Sequence, residues 1–137
     1  MLVRRDGAVL LQHRDDKPGL RAAGQWGPPG GHCEAGETPI EGALREFREE
    51  TGYLCNALQL LVELINNNDE GWPPQKLSVF WTFYDGIQEV HCFEGQALAF
   101  IHREEAELYK VPAYIMQIWD ALVDRIFTEN FERCPYS

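Results

Sequence analysis

No apolar run in this 137-residue chain approaches the ~18 residues of a membrane span, and its first residues lack a signal peptide's apolar centre. Neither a membrane partner nor export is expected, and a cytoplasmic location follows. Cysteine is scarce: Cys33, Cys55, Cys92 and Cys134 stand singly, without the C-x-x-C pairs of a zinc site or the density of a disulfide scaffold. Free thiols in a reducing compartment are expected. Cations are outnumbered, 12 Lys and Arg against 22 Asp and Glu, for a formal charge of −10. Duplex binding draws most of its affinity from cations set against phosphates, so a nucleic-acid duplex is disfavoured as a partner. A small anionic ligand is not, because a few local cations and a bound metal outweigh the global field at one site. Internal repeats and low-complexity segments are also lacking.

What remains is the composition of an ordinary globular protein, 45% hydrophobic and 25% charged. The length suits a single domain over residues 1–137, with 128–137 as a tail. Met1 to Arg5 and Ala8 to His13 are β-rich runs separated by Asp6-Gly7, a strong hairpin signal. The chain thus opens inside a strand, which leaves room for a short missing segment upstream. Asp15 to Pro29 reads as a surface loop rich in Gly, Pro and charge. Leu54 to Ile65 and Lys76 to Tyr84 read as strands joined by the polar stretch Asn66 to Gln75. Asp85-Gly86 marks a turn, Ala97 to Ile101 a short strand, and Arg103 to Lys110 a helical stretch. Pro112 opens a last helix carrying Ile115, Ile118, Trp119, Leu122, Ile126 and Phe127 on its apolar side. Strands interleaved with helices predict an α/β fold, a mixed sheet between helices on both faces.

The segment from Pro39 to Thr51 carries the chemistry. Thr38 caps a helix, Pro39 suits its first turn, Glu41 completes a Thr-x-x-Glu box, and Gly52 stands where the helix ends. Ile40, Ala43, Leu44 and Phe47 recur at i, i+3, i+4 and i+7, a stripe expected to pack inward. Glu46, Glu49 and Glu50 share another face, where like charges cost a few tenths of a kcal/mol per pair. A hard divalent cation would cancel them. An isolated stretch of this kind also reads as a solvated surface face, with Arg45 and Glu49 as an i, i+4 pair.

The flanking residues decide between the two. Gly31, Glu37, Arg45, Glu46, Phe47, Arg48, Glu49, Glu50, Thr51, Gly52 and Tyr53, at their spacing, resemble the full Nudix box. Phe47 and Tyr53 are aromatic where that family usually has aliphatic residues, a departure that bears on packing. At lower specificity the chain resembles the MutT-type pyrophosphohydrolases. Leu10 to Arg14 looks like their strand ending in a phosphate-contacting Arg, Trp26 to Gly31 like their entry to the box, and Glu94-Gly95-Gln96 like their downstream metal-site loop.

The resemblance implies a Nudix-type α/β/α sandwich and a Mg²⁺- or Mn²⁺-dependent cleavage of pyrophosphate bonds. It implies metal binding by the Gly30 carbonyl, Glu49 and Glu50, with Glu46 and Glu94 binding metal or deprotonating the attacking water. Glu46, Glu50 and Glu94 all stay open as the general base. Arg45 would orient a box carboxylate, Glu37 would support the loop or a further metal, Gly31 and Gly52 would support the site, and Arg14 would contact phosphate. His32 stands where MutT-type sequences have Lys and is a candidate phosphate contact. Trp26 and Trp72, in loops, could reach a ligand.

Where the MutT pattern has an Asn after its late Pro-Ala, this chain has Tyr114, which can stack on a ring but cannot make an amide's paired hydrogen bonds. Oxidised dGTP is therefore one candidate substrate beside other nucleoside triphosphates, nucleotide sugars and dinucleotide polyphosphates. A binding module that does not hydrolyse, and a structural domain with an acidic helix, are the competing readings. The oligomeric state stays open between monomer and homodimer.

Overall fold

The computed structural model describes residues 1–67 and 71–132, with side chains as far as residue 129. Cys134 and part of the polar stretch between the long strands lie outside the described residues. Strands β1 (Leu2–Val3) and β2 (Val9–His13) pair antiparallel across the Asp6-Gly7 turn, with Val3 opposite Val9. Gly7 takes φ +93° there, a conformation side-chain-bearing residues avoid. Beyond β3 (Trp26–Gly27) and helix α1 (Pro39–Thr51) come β4 (Gln59–Asn66), β5 (Gln75–Phe83) and β6 (Ala97–Ile101). A 3₁₀ turn (Arg103–Leu108) leads into helix α2 (Ala113–Glu132). The sheet runs β3-β2-β1-β5-β4, with β6 also on β2. It is mixed, because β1 runs parallel to β5 while the other pairs are antiparallel.

The period of two along a strand sorts its side chains between the two helices. Leu2 and Leu10 point into a cluster with Phe47 of α1 and Tyr53. Val3, Val9 and Leu11 point the other way, against Ile115, Ile118, Trp119 and Leu122 of α2. The chain therefore has the α/β/α layering expected from its sequence.

Four local expectations need correction. Leu54 to Leu58 stays out of the sheet because the Gln88 side chain takes the backbone's place: its Oε1 accepts from Leu54 N at 2.9 Å and its Nε2 donates to Leu54 O at 2.9 Å. Arg103 to Lys110 forms a short 3₁₀ helix over Arg103–Leu108 rather than an α-helix, with Glu105 N donating to His102 O and Tyr109 N to Ala106 O. Residues 128 to 132, expected in the tail, belong to α2, which continues to Glu132. Its Phe127 is 71% exposed, and Ile40 of α1 is 38% exposed, so both apolar stripes are narrower than their periodicity implied.

Candidate active site

Helix α1 is held at both ends by the residues its sequence supplies. The Thr38 side chain accepts from Glu41 N and the Glu41 carboxylate accepts from Thr38 N, closing the capping box. At the other end Gly52 adopts φ +75° and donates to Arg48 O at 2.7 Å. The last carbonyls, left over in any helix, accept from a loop further on: Phe93 N donates to Glu50 O at 3.0 Å and His91 N to Thr51 O at 2.9 Å. Those two bonds bring Glu94 beside Glu50.

Arg45 gathers the carboxylates on one flank. Its Nε and Nη2 grip Glu37 at 2.7 and 2.9 Å, Nη1 reaches Glu46 at 2.8 Å and Glu49 at 3.2 Å, and Nη2 also donates to His32 O at 3.0 Å. Glu34 lies 3.7 Å away. The Arg45 fork holds the Glu37 carboxyl below its usual range, helped by the Glu34 N–H, and Arg45 is itself more firmly protonated for these partners. The expected Arg45–Glu49 pair is present, but as part of a larger knot. Glu49 stays 58% exposed on this outer flank.

On the inner flank Glu50 is buried, 4% exposed, and its Oε2 accepts from Gly30 N at 2.7 Å. Burial pushes its carboxyl up to about 8, and the neighbouring Glu94, which shares a hydrogen bond with it, and Glu46 push the same way. Glu46 lies against Gly31 so closely that a Cβ on that glycine would stand 2.6 Å from Glu46 Cδ. The requirement for glycine at 31 is therefore one of space.

A cavity of about 730 Å³ opens beside this flank. Of the residues singled out from the sequence, Arg14, Gly30, Gly31, His32, Glu46, Glu50, Glu94 and Tyr114 line it. Trp26 lines it too, stacked at 4.7 Å on His13, while Trp72 stands outside under the Arg21 guanidinium. Glu37, Arg45, Glu49 and Gly52 do not reach the cavity and stand behind it. Arg14 donates through Nε to Arg21 O at 3.1 Å, and His32 Nδ1 lies 3.0 Å from Gln75 Nε2. Sequence reading missed Arg21, Gln25, Asn66 and Lys76, which also line the cavity. Asn66, buried at the end of an apolar strand, carried a signal; the others looked like ordinary surface polarity.

The donor set suits a hard cation. The buried Glu50 carboxyl meets the carboxyl of Glu94, which is exposed to solvent, and burial with this neighbour disfavours the charged form of Glu50 unless a dication offsets it. Mg²⁺ commonly uses one or two carboxylates and takes its other oxygens from water and substrate phosphate. Among the described residues no three acidic, His or Cys side chains stand together as a group that could hold a metal ion, so an ion bound here would take most of its oxygens from water and substrate.

A family model described as the NUDIX domain matches residues 1–117. The RNA pyrophosphohydrolase of Erythrobacter litoralis is 36% identical over 93 residues, 68% of this chain and 55% of that protein. A putative 8-oxo-dGTP diphosphatase of Mycobacterium tuberculosis is 33% identical over 108 residues, 77% of this chain and 45% of that protein. The chain spans about half or less of the length of the curated relatives it matches. Among solved structures, the MutT protein of Methanosarcina mazei superposes with a TM-score of 0.76 at 22% identity, covering 95% of this chain and 90% of that one.

Proposed function

Because the chain belongs to the Nudix family, we propose that it is a metal-dependent hydrolase that cleaves the pyrophosphate bond of a nucleoside triphosphate or nucleoside diphosphate derivative. The observation that carries this reading is the lining of one cavity. In a protein of net charge −10, Arg14, Arg21 and Lys76 meet Glu46, Glu50 and Glu94 around the same space. Cations and carboxylates so opposed suit an anionic ligand that shares a dication with the protein. A cytoplasmic location accords with the reading; among the described residues no helix is long and apolar enough to cross a membrane.

Glu50, Glu94 and Glu46, with the Gly30 carbonyl, are the groups that would hold Mg²⁺ or Mn²⁺, and Glu49 joins them if it leaves Arg45. Such an ion supplies charge neutralisation at the phosphoryl oxygens and a more acidic water. The protein's own part is positioning. Arg14 and His32 hold substrate phosphate, Tyr114 stacks on the base, and Glu46, Glu50 or Glu94 accepts the proton of the attacking water. Arg45, gripping Glu37, keeps Glu46 and the His32 backbone in register; Gly31 and Gly52 allow the close approaches around them.

The deciding experiment is a panel of nucleoside triphosphates, nucleotide sugars and dinucleotide polyphosphates incubated with Mg²⁺ or Mn²⁺, with products separated by chromatography. Release of a nucleotide and a phosphate-bearing fragment from at least one class is expected. Failure across the panel, with metal still raising the melting temperature, would favour the binding module instead. Arg14→Lys is expected to raise KM about tenfold with kcat little changed, because an ammonium cannot replace a planar fork. An unchanged KM removes Arg14 from the phosphate contacts. Oxidised and normal dGTP should differ by less than about a hundredfold in kcat/KM, since Tyr114 offers stacking that is nearly blind to base identity. A preference of several thousandfold would mean that another residue reads the base.

A further inference from the structure

Strand β2 reads Val9-Leu10-Leu11-Gln12-His13, and Gln12 is 3% exposed after three fully buried aliphatic residues. A buried amide is costly unless paired. Gln12 Nε2 donates to the backbone carbonyl of Glu94 at 3.0 Å, across 82 positions of sequence. The same short loop is pinned again just beyond: Gln96 N donates to His13 O at 2.8 Å, and Gln96 Nε2 to Arg14 O at 2.9 Å. Between them Gly95, at φ +83°, sits so near β2 that a Cβ would lie 2.6 Å from His13 O and 3.1 Å from Gln12 Cγ. On the other side of Glu94, Phe93 N is bonded to Glu50 O.

Residues 93 to 96 are thus fastened at one end to helix α1 and at the other to β2, with the Glu94 side chain between. We infer that Gln12 is a positioning residue, which fixes the Glu94 carboxyl against Glu50 by holding the Glu94 carbonyl from within the sheet. This rests on the reading above, in which Glu94 belongs to the active site. Gln12 does not line the cavity, so its effect on the site runs through Glu94. The apolar strand run ending in a buried amide is the sequence signal for it.

Gln12→Met keeps length and apolar bulk but removes the donor. In the purified full chain it is expected to weaken Mn²⁺ binding, measured by calorimetric titration, by about tenfold, the lower end of the range for groups that support metal ligands. Turnover should fall by a similar factor with KM changed less than about twofold, and backbone hydrogen exchange over residues 93–96 should quicken. The decisive comparison is the double variant with Glu94→Gln. If Gln12 acts only through Glu94, adding Gln12→Met to Glu94→Gln costs nothing further in Mn²⁺ affinity or turnover. Effects that multiply would show a general structural role and overturn the inference, as would a Gln12→Met protein with wild-type affinity. Should Gln12→Met fail to fold, Gln12→Asn, which keeps the amide with a shorter reach, takes its place, with the same non-additivity required. A protein that hydrolyses nothing in the panel defeats the proposed function, while the Mn²⁺ and exchange measurements still decide on Gln12. A Glu94→Gln variant with wild-type Mn²⁺ affinity and wild-type turnover defeats Gln12's role together with Glu94's.

Discussion

Glu50→Gln is expected to abolish most turnover, by roughly 10²- to 10⁴-fold, and at the same time to stabilise the metal-free protein at alkaline pH. The two effects have one origin. Glu50 is 4% exposed, its carboxyl lies beside Glu94, and its titration is pushed from an ordinary 4.5 up to about 8. Between those values the folded state keeps a proton that the unfolded chain has released, so stability falls as pH rises through this window. Above pH 8 the full penalty is present; below 4.5 both states are protonated and it vanishes. A glutamine still accepts from Gly30 N, fills the same space and never ionises. At 1.36 kcal/mol per unit, the rise from 4.5 to about 8 sets an upper bound of about 5 kcal/mol on the gain at pH 8.5. Melting curves of the two proteins in chelator should separate at pH 8.5 and converge near pH 4. Added Mn²⁺ should raise the wild-type curve and leave the variant nearly unmoved. Coincident curves at pH 8.5 would show that Glu50 carries no unusual burden, and near-wild-type turnover would remove it from the reaction.

Gly31→Ala is expected to cost catalysis far more than stability. The added methyl would meet Glu46 Cδ at 2.6 Å and Oε2 at 2.7 Å, the end of a flexible side chain rather than backbone. Glu46 can swing away, so the fold should lose no more than about 1 kcal/mol, within the usual range for a point substitution. The swing breaks the 2.8 Å contact between Arg45 Nη1 and Glu46 Oε1 and moves that carboxylate off the cavity wall. Misplacement by about 1 Å can cost roughly a hundredfold in rate, and a loss of that order in kcat is the expected result. Gly31→Ala with full activity would mean that Glu46 has no part in positioning metal or water. A protein that no longer melts cooperatively would mean that the glycine serves the fold instead.

Much of this was readable in advance where the cause is local. The Thr38-x-x-Glu41 box, Pro39 and Gly52 bounded α1 at both ends because capping depends on residues within one turn. The Asp6-Gly7 hairpin and the span of β6 were equally local. The misreadings involve distant partners. Nothing near Leu54 announces that Gln88 will bracket it, and although the i, i+4 spacing of Arg45 and Glu49 was legible, nothing near Glu50 says that it, one residue on, turns inward. Spacing along a helix places three carboxylates on neighbouring rows, but only the packing of β2 and the Glu94 loop separates the buried row from the wet one. The carboxylate cluster was thus legible as a set, and its division into flanks was not.

The pairing of β1 with β5, and of β2 with β6, has a consequence for how the molecule comes into being. Leu2 lies opposite Thr82 and Val9 opposite Ile101, so the central strands find their neighbours only after some 80 to 90 intervening residues have been made. Contacts of such long separation are slow to form, because the loop must be closed before any pairing rewards it. During synthesis the first hairpin and α1 emerge with Leu2, Leu10 and Phe47 still uncovered, dependent on later segments for shelter. Glu50 and Glu94 come together in that same late step. A nascent chain therefore adds the last strand of its sheet and brings its two carboxyls together late and close in time, because Glu94 lies just before β6.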